Sequence, residues 1–217
     1  STMGEINALN RDFVDVSVCI GNEFSPQEKA IAGEPTHLQI TVTNFGNLDS
    51  LPLNLSLIKV DSDSLIAHQT ISTLIPGGGE ITSEFELMFK IPGIYNLKCV
   101  VDSDNDEYLG NNVQEISLPV GYPQKTLLIN EIMYDTDERG QEWVELYNPG
   151  ENAVNIKDWY LKDSKKVVLI TDQYVLIKPN SYLVLSNVEM DTEQNLVTTL
   201  PELNNTKDNI VIADFAG

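Results

Sequence analysis

Three groups of side chains in this 217-residue sequence have the types and spacing to do chemistry. The first is Asp102-Ser103-Asp104-Asn105-Asp106-Glu107, where alternating carboxylates and an amide crowd oxygen donors into one short stretch. Calcium takes roughly six to eight oxygens, so Asp102, Asp104 and Asp106 are candidate ligands. An EF-hand loop would need glycine in place of Glu107 and glutamate in place of Val113, so that motif is absent. The competing reading is a solvated hairpin whose Asp and Asn side chains bond the nearby backbone. The second group, Asp135, Asp137, Glu138 and Glu142 around Gly140, is a further acidic loop, with Asp135 and Asp137 as candidate ligands of the same cation. The third combines aromatics with acids. Tyr134, Trp143 and Tyr147 could form an exposed strip against a sugar ring, while Glu131 and Glu145 could hold a cation or act as an acid/base pair. Glycoside cleavage needs two carboxylates roughly 5–10 Å apart across a cleft. Strands joined by tight turns supply little cleft, so no catalysis is expected from them.

Other chemistries find no support. His37 opens a strand and His68 sits in a return hairpin, and neither has a nucleophile placed beside it in sequence. Pro76-Gly77-Gly78-Gly79 follows no parallel strand and reads as a hairpin turn, not a phosphate loop. Cys19 falls out of phase with Val16, Val18 and Ile20, whereas Cys99 is in phase with Leu97 and Val101, so two free thiols are expected, the second buried. The formal charge is −20, with 5 basic and 17 acidic side chains up to residue 123 (net −12) and 8 and 16 after it (net −8). A polyanion repels phosphate backbones and anionic lipid, which argues against nucleic acid as a partner. No stretch of about 18 apolar residues exists, so no membrane insertion is expected.

These residues have to be positioned by strands. Alternation with a period of two runs through His37–Thr43, Leu53–Leu57 and parts of Ile81–Phe89, and Asn-, Pro- and Gly-rich turns punctuate the chain at sandwich spacing. No dozen-residue window carries an apolar helical stripe. The fold expected is all-β: two tandem immunoglobulin-like sandwiches joined by a short linker. Gly121-Tyr122-Pro123-Gln124 marks the break. The expected division is an N-terminal extension over 1–12, a first sandwich over 13–121, a linker over 122–126 and a second sandwich over 127–217.

The motifs of each half resemble a known family. Gly33-Glu34 ahead of Leu38–Gly46, the Pro76–Glu80 turn, Pro92-Gly93-Ile94-Tyr95 and the acidic loop closing on Gly110-Asn111-Asn112 are similar to CARDB domains, the cell-adhesion-related bacterial modules. In the second half Asn130-Glu131-Ile132, Trp143–Pro149, Asp158-Trp159-Tyr160-Leu161 and Pro179-Asn180-Ser181-Tyr182 resemble the lamin-tail domain of secreted bacterial proteins. Asp158 stands where that family usually has glycine. The family pattern continues one strand beyond Asp214-Phe215-Ala216-Gly217, so this sandwich is expected to end a strand short and to leave an edge open to self-association. The resemblances imply a non-catalytic, secreted or cell-surface module pair used for adhesion or spacing in a larger protein, with protein or polysaccharide as partner. Calcium is the one candidate cofactor and none is required. The alternative is a polysaccharide-docking accessory fragment of a secreted hydrolase or nuclease, whose catalytic domain would lie elsewhere.

Overall fold

The computed structural model describes residues 11–21, 29–134, 141–192, 194–201, 203 and 209–217. The chain divides into two compact units, Ser1–Val120 and Gly121–Gly217. Both are built from strands.

The first unit contains β1 (Val16–Ile20), β2 (Ala30–Ile31), β3 (Pro35–Asn44), β4 (Leu53–Lys59), β5 (Ser64–Ile71), β6 (Glu80–Met88), β7 (Gly93–Ser103) and β8 (Val113–Gly121). One sheet runs β1-β3-β6 and the other β2-β8-β7-β4-β5, the two layers of an immunoglobulin-like sandwich. Alternation decides what each layer buries. On β3, Thr36, Leu38, Ile40, Val42 and Asn44 point inward, and on β4 Leu53, Leu55 and Leu57 do the same. The apolar ones meet Leu97, Cys99 and Val101 of β7 in one core. Both cysteines are free, Cys19 exposed and Cys99 buried. Burial disfavours the thiolate and pushes the Cys99 thiol up to about 12. Strand β2, two residues long, carries too little alternation for its sequence to announce it.

The second unit contains β9 (Leu128–Met133), β10 (Trp143–Asn148), β11 (Val154–Asn155), β12 (Tyr160–Lys162), β13 (Val167–Leu169), β14 (Leu176–Ile177), β15 (Ser181–Ser186), β16 (Asn195–Val197) and β17 (Val211–Ala213). They form three sheets, β16-β15-β10-β9, β11-β14 and β13-β12-β17, around a separate core that includes Val144, Leu146, Ile156, Leu161 and Leu185. The β15–β16 pair is parallel, while the other strand pairs of this unit are antiparallel. Trp159 is a core anchor, 4% exposed, but it sits just ahead of β12 and not on a strand. A turn through Asp158, with φ +60°, delivers it there. Its indole lies 5.2 Å from the ring of Tyr122, whose phenol burial pushes above its ordinary value.

Each sandwich closes one strand with a buried asparagine. At the end of β3, Asn44 Nδ2 donates to the carbonyls of Leu48 (2.8 Å) and Ile75 (3.0 Å), and its Oδ1 accepts from the Gly46 N–H (2.9 Å). At the end of β10, Asn148 Nδ2 donates to the carbonyls of Asn152 (2.8 Å) and Ile177 (2.9 Å), and its Oδ1 accepts from the Gly150 N–H (2.9 Å). Asparagine suits the place because one short side chain carries both donors and an acceptor, enough to satisfy a chain leaving a sheet.

Candidate functional site

The outer face of the β9–β10–β15 sheet gathers Trp143, Tyr147, Glu131 and Glu145, most of the third group singled out in the sequence. On β10, Val144 and Leu146 are fully buried, so Trp143, Glu145 and Tyr147 share the opposite, half-buried face. Register sets their neighbours. Trp143 is flanked by Met133 and Ser186, Glu145 by Glu131 and Val184, and Tyr147 by Leu128 and Tyr182. A β-bulge falls in β9, where Glu145 opposes Glu131 and the next residue, Leu146, opposes Ile129. Ile129 and Ile132 both pack on the core, so the bulge leaves Asn130 and Glu131 together on the outer side. Asn130 Nδ2 donates to Glu145 Oε1 at 2.6 Å. Tyr147 and Tyr182 stack with centroids 4.6 Å apart at 26°, and the Tyr147 hydroxyl lies 3.5 Å from Asn180 Oδ1. Tyr182 is 46% exposed. Alternation within β15 signals its outward phase, but only the long-range register puts it on Tyr147. Val184 and Ser186 point the same way yet are buried, so the accessible part of the face lies over β9 and β10 with Tyr182 at one end. Tyr134, just after β9, is 47% exposed.

The acidic loop of the first unit is organised differently. Asp106 Oδ1 accepts from the Tyr108 N–H (3.1 Å) and Oδ2 from Asn112 Nδ2 (2.7 Å). Asn111 Nδ2 reaches Asp15 (2.8 Å), and Asn105 Oδ1 accepts from the Leu51 N–H (3.0 Å) and the Ser103 hydroxyl (3.0 Å). These bonds lace the loop to the approach to β1 and to the approach to β4. Asp102 and Asp104 are exposed. Among the described residues no group of three or more His, Cys, Asp or Glu side chains converges as a metal centre would require. Asp135 and Asp137 lie outside the described residues. His37 Nδ1 is 3.0 Å from Glu84 Oε1, an exposed contact on the β3–β6 pair. Asp63 is held below the usual carboxylate range by Lys98, whose Nζ is 2.8 Å away.

Comparison with known proteins follows the same division. The family model described as CARDB matches residues 14–114, and the one described as Lamin Tail Domain matches residues 121–217. No curated protein matches the chain. Among solved structures, the CARDB domain of a Pyrococcus furiosus protein in complex with di-metal ions is 18% identical and covers 51% of this chain and 96% of that one, at a TM-score of 0.43. A domain of a Methanosarcina acetivorans protein described as a cell surface protein is 20% identical, covering 50% and 92% at a TM-score of 0.41. Red sea bream transglutaminase is 14% identical, covering 80% of this chain and 26% of that one at 0.41. The chain thus joins a CARDB-like sandwich to a lamin-tail-like sandwich, the second likeness opening at Gly121, where the second compact unit begins.

Proposed function

We propose that this chain is a non-catalytic pair of secreted or cell-surface modules serving adhesion or spacing within a larger protein. The observation that carries this reading is the pair of self-contained cores: each unit buries its own apolar set and closes it with its own asparagine corner. Modules of that kind hold loops and sheet faces out to partners while their interiors do no chemistry. Two family likenesses consistent with extracellular or surface modules support it. No helix among the described residues is long and apolar enough to cross a membrane. The test is display of the full chain on a cell surface, with retention under flow measured on protein-coated and polysaccharide-coated glass. More cells held than with an empty display scaffold supports adhesion, and no gain on any coat removes it. Spacing is read by pulling the chain mechanically. Two successive unfolding events of about 30–40 nm each are expected from units of this length.

A polysaccharide-docking accessory role is favoured by one specific observation, the Tyr147–Tyr182 stack sharing a face with Trp143. Reproducible glycan-array binding that disappears in Trp143→Ala would support it.

A further inference from the structure

Glu131 and Glu145 stand directly opposite each other on adjacent strands, where like charges repel. Among the described residues neither forms an ion pair, and the neutral Asn130 amide is the hydrogen-bonding group at Glu145. The surrounding charge adds to the repulsion, since residues from 124 onward carry 8 basic against 16 acidic side chains. On either side of this acidic centre the face is aromatic. Trp143 and Tyr147 each stand two residues from Glu145 along β10, a rise of about 7 Å. A cation hydrogen-bonded at the carboxylates would therefore lie within reach of an aromatic face, the arrangement in which charge pairing and cation–π attraction act on one group.

We propose that this face binds guanidinium or ammonium side chains presented by a partner protein, arginine in preference to lysine. Glu131 and Glu145 take the charge, and Trp143 and the Tyr147–Tyr182 stack take the flat sides of the cation and its stem. Arginine is preferred because a planar guanidinium can bridge carboxylates and stack on a ring at once, whereas ammonium acts as a hydrated point charge. The inference rests on the surface-module reading and names the chemistry of its contact.

The probes are hexa-arginine and hexalysine peptides and, as the neutral glycan arm, chitohexaose and cellohexaose, titrated calorimetrically into the full chain. Glu131→Gln/Glu145→Gln removes the two charges while keeping shape. Glu80→Gln/Glu86→Gln removes two exposed charges from β6 of the other unit, and so measures what net charge alone contributes. Hexa-arginine should bind more tightly than hexalysine. Its affinity should fall about tenfold in the first double variant and less than about twofold in the second. Trp143→Ala, at a half-buried outer position, should weaken arginine binding with its melting temperature nearly unchanged. Equal losses in the two double variants, no peptide binding, or glycan binding lost in Trp143→Ala while peptide binding persists would each overturn the proposal. Displaying the Glu131→Gln/Glu145→Gln chain in the flow assay separates the two readings. Peptide binding by a chain that never adheres sinks adhesion alone. Adhesion with peptide binding indifferent to the double variant sinks only the cation site.

Discussion

Asn44 in the first sandwich and Asn148 in the second are both fully buried and make the same three kinds of bond, but they are set in different surroundings. Each donates to the carbonyl four residues on and to another about thirty residues later, and each accepts from the N–H of a glycine two residues on. The first corner has an extra layer. Asn44 Oδ1 also meets the Asp15 N–H at 3.4 Å, and the Phe13 carbonyl accepts from the N–H groups of Asn47 and Leu48. The chain entering β1 is therefore packed onto the corner. A Cβ at Gly46 would stand 2.4 Å from the Phe13 carbonyl oxygen, whereas one at Gly150 would meet Asn148 Oδ1 at 3.2 Å. The same polar device closes both sandwiches, and among the described residues it is the first that also holds a third segment of backbone. The acidic groups separate along a similar line: the first unit ties Asp106 and Asn105 of its acidic loop into internal bonds, whereas among the described residues the opposed glutamates of the second form no ion pair.

The sharpest test of the likeness is to remove both asparagines in turn. Asn44→Ala and Asn148→Ala each remove two bonds to carbonyls, one of them buried, and one from a glycine N–H, which together tie the corner to the chain about thirty residues on. Each should cost about 3–5 kcal/mol, read by calorimetry as a fall in the transition of its own unit. A single transition lowered by both variants would merge the units and dissolve the comparison. The glycines then test the difference. Gly46→Ala should destabilise by about 2–4 kcal/mol because the clashing atoms are backbone, while Gly150→Ala should cost about 1 kcal/mol or less. Equal penalties would mean that the packing of Phe13 and Val14 on the first corner does not matter to stability.

How much of this was legible before the fold was known follows from the range of each interaction. The alternation of β3, β4, β7 and β10 names its buried residues from local pattern alone, and the inward Val144 and Leu146 imply the outward Trp143, Glu145 and Tyr147. The neighbouring positions of Glu131 and Glu145 also followed, from strands that a single loop connects. Tyr182 was missed as a site residue because its partner is 35 positions away and only pairing register brings them together. The bulge at Asn130 was equally hidden. A residue added to one strand changes which side chain faces outward without changing composition. The acidic loop showed its oxygens in sequence, but its bonds to Asp15 and to the approach to β4 are non-local. The turn at Asp158 announced itself only as a departure from a family pattern, and its left-handed backbone supplies the physical reason.

Alkaline titration separates the units with a smaller effect. The Cys99 thiol, ordinarily near 9.0, is pushed up to about 12 by burial, so the folded state holds a proton that the unfolded state releases. The stability this provides is complete below pH 9 and is lost as pH rises toward 12, by roughly 1.4 kcal/mol for each pH unit. The second unit has no cysteine. Its raised group is Tyr122, with an ordinary value of 10.0, so its loss should begin about one pH unit higher. In the native chain iodoacetamide should modify Cys19 and spare Cys99. Prompt modification of both at neutral pH would contradict the burial on which the titration depends.

The finest distinction lies between two aspartates in left-handed backbone, Asp63 at φ +48° in the first unit and Asp158 at φ +60° in the second. For a residue with a Cβ this conformation costs about 1 kcal/mol that glycine does not incur, part of it offset by glycine's greater freedom in the unfolded chain. Asp158 commits its backbone N–H to the Thr171 carbonyl at 2.8 Å, a bond that Asp158→Gly retains. That variant should raise the second unit's transition by a few tenths of a kcal/mol, roughly 1–2 °C. Asp158→Val, whose branched side chain tolerates the left-handed region worst, should lower it by about 1–2 kcal/mol. Asp63→Gly relieves the same strain but gives up the Lys98 contact, so the first unit's transition should barely move. A gain at Asp63 as large as at Asp158 would show that Lys98 contributes nothing. A loss at Asp158→Gly would show that the aspartate side chain does something in the second sandwich that its backbone angle does not explain.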